Sequence, residues 1–160
     1  MQAYQAEAAE LQRVLHHEIP LSRQMGLTVQ AYDGVRLSLH TPLAPNVNHK
    51  ATAFAGSLTA AMTLTGWGLT WLLLREHGLE GVIVIHEGAT RYLLPVEHDF
   101  ITTCHMPAAQ QVERFIAGLR RRGKARIALT VDILTGNEQV AVAFTGSYVA
   151  LIDQAHPDVE

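Results

Sequence analysis

Four groups of residues in this 160-residue chain have types and spacing suited to chemistry. The first is Gly56-Ser57, where a polar stretch passes into a long apolar one. A helix that starts there presents unpaired N–H groups and the positive end of its dipole, which together stabilise an oxyanion. Gly56 lacks a β-carbon and lets a ligand approach the backbone; equally, it eases the turn while Ser57 serves as an N-cap. The second group is Asn48-His49, in the polar loop just before. An imidazole there could activate water or donate to a carbonyl, or be an exposed loop histidine, one of nine in the chain. Asn48 could donate to a substrate oxygen or hold the loop by an Asx-type bond.

The third is Glu87, an acid within the otherwise apolar run Val82-Ile83-Val84-Ile85-His86-Glu87-Gly88. A carboxylate among β-branched residues is costly unless it is partnered, functional or turned to solvent. Strand alternation puts His86 and Glu87 on opposite faces unless a bulge intervenes, and the expectation is that Glu87 faces the site. The fourth is the basic run Arg120-Arg121-Arg122 with Lys124, which could grip phosphates or an acidic protein face. Cations at a helix C-terminus also need no ligand to explain them. No His, Cys and carboxylate set has metal-ligand spacing, and no glycine pattern cradles a phosphate.

The elements that must position these groups follow from periodicity. Residues 3–17 carry Ala8, Leu11, Val14 and Leu15 at helical spacing, and Pro20 is expected to stop this lead-in helix. Residues 27–33 and 35–39 alternate on either side of Asp33-Gly34, which predicts a hairpin. Residues 57–77 are apolar around the whole circumference and predict a long enclosed helix ending at Gly78. The runs 81–94 and 98–106 read as a second antiparallel pair. Pro107 opens an amphipathic helix through Phe115, Ile116 and Leu119, and two alternating strands, about 127–133 and 140–148, complete the chain.

Bulk properties narrow the classes. The length suits one domain over 1–160, and a net charge of −3 gives no general attraction to nucleic acid or anionic lipid. The single cysteine, Cys104, excludes an internal disulfide and reads as a buried thiol, in keeping with a cytoplasmic protein. The N-terminus has no secretory pattern. No charge interrupts the chain between Lys50 and Arg75, long enough to span a bilayer, but the many threonines and the alternating flanks favour a buried helix of a globular fold.

An antiparallel sheet of about six strands curled around one long helix accommodates this order economically, an α+β solution. The arrangement resembles the hotdog fold. Thr90-Arg91-Tyr92-Leu93-Leu94-Pro95-Val96 is similar to the signature that ends the third strand in acyl-CoA thioesterases of that fold, and the run from Asn48 to Leu58 resembles the start of the central helix in a bacterial thioesterase family found alone or fused to an N-acetyltransferase domain. The resemblance implies hydrolysis of acyl thioesters of coenzyme A or acyl carrier protein, with no cofactor beyond the coenzyme A or phosphopantetheine of the substrate. It implies roles for His49, Asn48, Gly56 and Ser57; with Glu87, read from its strand in place of the family's helix carboxylate, they are the expected catalytic set, and Phe54, Thr59, Thr63, Arg121, Arg122 and Lys124 are the expected substrate contacts. It also implies a homodimer or a dimer of dimers, with each site between subunits. One departure stands out: many such enzymes carry His-Gly-Gly and a carboxylate two helical turns later, where this chain has Ala55-Gly56-Ser57 and Leu64. A dehydratase or isomerase acting on hydroxyacyl thioesters, or an acyl-binding module without turnover, are the alternatives.

Overall fold

The computed structural model describes residues 4–153, so the first residues of the expected lead-in helix lie outside the described range. Helix α1 spans Gln5–Glu18 and buries Leu11 and Leu15 completely. Pro20 does more than stop it. Ile19 leaves the helical region, as the residue before a proline tends to, and Pro20 opens a second short helix, α2, over Pro20–Gln24. Ser22 ties the two together by donating its hydroxyl to the Leu15 carbonyl at 2.9 Å.

Strands β1 (Thr28–Tyr32) and β2 (Arg36–Thr41) form the expected hairpin. Asp33 shapes its turn by accepting the Val35 and Arg36 amides, and Gly34 takes the left-handed conformation at φ 90°. The central helix α3 runs from Ala55 to Glu76, starting two residues before the expected position and ending one before it. Its buried residues include Thr65 and Thr70, whose hydroxyls return to the carbonyls four residues back. Gly66 is required by a neighbour: a Cβ there would collide with the ring of Tyr148, whose hydroxyl donates to the Thr63 carbonyl at 2.8 Å. By length and apolarity α3 could cross a membrane, yet 67% of that apolar window is buried inside the protein.

Strands β3 (Val82–Tyr92), β4 (Phe100–His105), β5 (Lys124–Leu134) and β6 (Val140–Leu151) complete one six-stranded antiparallel sheet in the order β1-β2-β4-β5-β6-β3. Helix α4, Ala109–Arg122, links β4 to β5, buries Phe115, Ile116 and Leu119, and ends at Gly123 in the left-handed conformation. The expectation that β3 and β4 pair with each other is overturned. β3 pairs only with β6, and β4 lies between β2 and β5. Alternation fixes which face of a strand is buried but not which strand lies beside it, and the connection from 93 to 99 crosses the start of α3 instead of turning back. It is fastened there: Leu93 and Leu94 donate their amides to the Ala141 carbonyl, and the Val96 carbonyl accepts the Ala53 amide at 2.8 Å. β3 is thus a sheet edge eleven residues long, with Val82, Val84 and Ile85 exposed.

Candidate active site at the start of the central helix

The loop entering α3 is organised by two asparagines. Buried Asn46 donates its side-chain amide to the Met25 and Pro42 carbonyls, each at 2.8 Å, and its own carbonyl accepts the Phe54 amide at 2.7 Å. Asn48 closes the next turn of chain. Its Oδ1 accepts the Lys50 and Thr52 amides at 2.8 and 3.2 Å, while its Nδ2 donates to Thr52 Oγ1 at 2.9 Å and to the Ala53 carbonyl at 3.4 Å. Of the two roles open to Asn48, the structure shows the loop-holding one. Ala51 sits at φ 60° within this turn, a conformation that the surrounding bonds enforce. His49 projects from the tip of the loop and is exposed.

Because Phe54 is extended and its carbonyl already accepts the Leu58 amide at 3.0 Å, Phe54 is the N-cap. The reading of Ser57 as a cap is therefore corrected: it is the third helical residue, and no side chain caps the helix. The Ala55, Gly56 and Ser57 amides consequently have no protein acceptor among the described residues. The space beside Gly56 is not empty. A Cβ there would run into the Phe54 ring, so the glycine is needed to let this exposed aromatic lie across the first turn.

Beside the helix start is a cleft of about 370 Å³, lined by Asn48, Thr52, Ala53, Ala55, Leu58 and residues 92–96. None of these side chains is charged, and the Asn48 and Thr52 polar groups are spent on each other. At its β3 wall three hydroxyls meet. Thr59 Oγ1 lies 3.1 Å from Thr90 Oγ1 and 2.6 Å from the Tyr92 hydroxyl, which also donates to the Ala55 carbonyl at 3.2 Å. Thr63 follows one turn further along the same helix face, and Trp67 another turn on donates to the Ile83 carbonyl at 3.1 Å. Leu64 faces the core and is 7% exposed.

Within one chain Glu87 does not join this site, contrary to the expectation that it faces it. The ladder with β6 slips between Ile85 and Glu87, so His86 is the bulged residue. Thr90 and Tyr92 point at α3, and regular alternation back from Thr90 puts Glu87, opposite Ser147, on the outer face of the sheet. The basic cluster is also remote within one chain. Lys124 is level with Leu151 and Val82, at the other end of β3 from Tyr92, roughly 30 Å along the strand. Arg121, Arg122 and Lys124 are exposed, and none forms a salt bridge among the described residues.

The structure thus brings together Asn48, His49, Phe54, Gly56, Ser57, Thr59 and Thr63, and sets Glu87, Arg121, Arg122 and Lys124 apart. Sequence reasoning missed Tyr92 and Thr90 as site residues. The signal was present: Thr90 and Tyr92 stand two residues apart, on one face of a strand, just before Pro95.

A curved antiparallel sheet around a central helix, with the open helix end against the last turn of an edge strand, defines a hotdog-fold protein of the thioesterase type. Residues 8–152 match the family described as "Putative thioesterase (yiiD_Cterm)", and the chain belongs to that family. Among solved structures, a protein of unknown function from Chlorobaculum tepidum is 33% identical, with a TM-score of 0.87 over 91% of this chain and 94% of that one. The putative thioesterase of Shewanella oneidensis is 32% identical, with a TM-score of 0.82 over 91% of this chain and 98% of that one. The PaaI protein of the Escherichia coli phenylacetic acid degradation operon shares the fold alone, at 12% identity and a TM-score of 0.62 over 94% of this chain and 96% of that one.

Proposed function

We propose that this chain hydrolyses acyl thioesters carried by coenzyme A or acyl carrier protein, working as a homodimer in the cytoplasm. One observation carries the reading: the first three amides of α3 have no protein acceptor, and the helix start, through Ala55, lines an uncharged cleft, in a member of a thioesterase family. A thioester carbonyl placed against the Gly56 and Ser57 amides gains stabilisation as its oxygen becomes negative. Water then adds to the carbonyl carbon, the C–S bond breaks, and the thiol leaves with a proton, giving a free acid. The cleft supplies no carboxylate to activate that water. His49, on the loop that Asn48 shapes, is the general base in this reading.

The long exposed edge of β3 supports the dimer, because an unpaired edge is completed when two copies join antiparallel about a two-fold axis. That pairing reverses the second strand, so the partner's Lys124 end comes beside the Tyr92 end of this chain. The partner's arginines would then meet the phosphates or the acidic carrier of a substrate bound here. A second reading, acyl-thioester binding without turnover, is favoured by the absence of a carboxylate from the cleft lining.

The deciding experiment is thiol release from a panel of acyl-CoA and acyl carrier protein substrates, with His49→Ala beside the wild type. Hydrolysis predicts turnover that falls roughly a hundredfold in the variant. Binding of the same thioesters with no thiol released by the wild type would establish the second reading instead.

A further inference from the structure

The first turn of α3 is held by the burial of Leu58 in the core and, on its exposed side, by hydroxyls from β3. Tyr92 is 51% exposed, and both bonds from its hydroxyl, to Thr59 and to the Ala55 carbonyl, are open to solvent. Thr90 continues the chain to Thr59 from one strand pitch away. Proton counting gives a single consistent direction when Tyr92 donates to Ala55: Thr59 then donates to Tyr92, and Thr90 to Thr59. The acceptor at the end of this relay is the carbonyl of the first helical residue. The peptide plane that contains it also carries the Gly56 amide. On the other side of the turn the Phe54 ring lies across Gly56, and no side chain caps the helix. Tyr92 is therefore the side chain that, together with the helix's own bond from the Thr59 amide, orients the peptide whose N–H begins the proposed oxyanion site.

We propose that Tyr92 is a positioning residue for the thioester carbonyl site, fixing the Gly56 and Ser57 amides through the Ala55 carbonyl and Thr59. The reaction it serves rests on the reading given under Proposed function; the geometry does not. Water can replace either exposed bond, so loss of the hydroxyl leaves stability nearly unchanged and alters only the aim and rigidity of the turn.

Two substitutions that keep shape and remove the hydroxyl test this: Tyr92→Phe and Thr59→Val. Using octanoyl-CoA as the probe, each lowers kcat by about tenfold with KM within about twofold, since the interaction is realised in the transition state. The double variant is no slower than the worse single, because both act through one turn. Independently of turnover, the ¹⁵N order parameters of Gly56 and Ser57 fall from the rigid value of about 0.85 towards 0.6 in Tyr92→Phe. Unchanged order parameters overturn the proposal, as does an unchanged kcat, or a loss confined to KM, in an active protein. If the wild type releases no thiol while the order parameters still depend on Tyr92, the hydrolase reading fails and the positioning role stands.

Discussion

Glu87 lies opposite Ser147 in the β3–β6 ladder, on the face of the sheet turned away from α3. Regular alternation back from Thr90, which faces α3, puts the carboxylate outside, and the bulge at His86 lies on the other side of Glu87 and does not alter this. Glu87→Gln is therefore expected to change kcat/KM by less than about twofold and stability by no more than about 0.5 kcal/mol, as for an exposed surface position. Steady-state thiol release and urea unfolding check both. A loss comparable with that of His49→Ala would return Glu87 to the site.

Asn48 should behave in the opposite way. Its side chain makes four hydrogen bonds within the loop, so Asn48→Ala leaves several groups to find water and releases Ala51 from its left-handed conformation. The expected cost is about 1–3 kcal/mol, together with protease cleavage near Lys50 that the wild type resists. Asn48→Asp, which keeps the two accepted amides, should recover part of the loss. Equal stability of all three proteins would show that the loop is held by other means.

Cys104 is fully buried, and burial pushes its thiol up to about 12. At pH 8 almost no thiolate is present, so the native protein should not react with a disulfide reagent over the course of an assay, whereas the unfolded chain should titrate one thiol. The same property keeps the sole cysteine from contributing background to thiol-release measurements. Rapid labelling of the native protein would mean that β4 opens far more readily than its burial implies.

Asp33 gives a pH dependence of definite sign. The Val35 amide, followed by the Arg36 amide, holds its carboxyl below the usual aspartate range. A depressed folded pKa contributes stability that is complete above the unfolded value and is lost as pH falls through the folded one. Asp33→Asn should therefore reduce the stability difference between pH 6 and pH 3 without changing the direction of acid unfolding. Parallel melting curves for the two proteins across that interval would assign the acid response to other carboxylates.

The fold was legible in the sequence wherever a periodic pattern had one structural solution. The all-round apolarity of 57–77 leaves little choice but enclosure, and Asp33-Gly34 between alternating runs specifies a hairpin. Partnership between strands was not legible. β3 and β4 have the alternation of a hairpin pair, yet Pro95 and the long connection carry the chain across the helix start to a different place in the sheet. The site was partly legible for a related reason. Polar loops and helix entries show themselves in composition, so Asn48, His49 and Gly56 could be placed at the start of the central helix. Which face Glu87 occupies needed one anchor, the contact of Thr90 with α3, before alternation could place it, and the pairing of Thr90 and Tyr92 on one face gained its meaning only with their hydroxyl partners.

The contact between Gly66 and Tyr148 lies three helical turns from the proposed carbonyl site, yet it constrains that site. The ring fits only where the helix has no side chain, and its hydroxyl reaches one particular carbonyl, that of Thr63. Moving α3 forward or back by a single residue would replace glycine with Thr65 or Trp67 under the ring. The helix therefore has one permitted setting along the sheet, and the level at which its first amides emerge beside Tyr92 is set from the middle of the molecule. Substitutions at Gly66 would displace the Tyr148 ring in the core and, through the setting of the helix, the proposed carbonyl site as well.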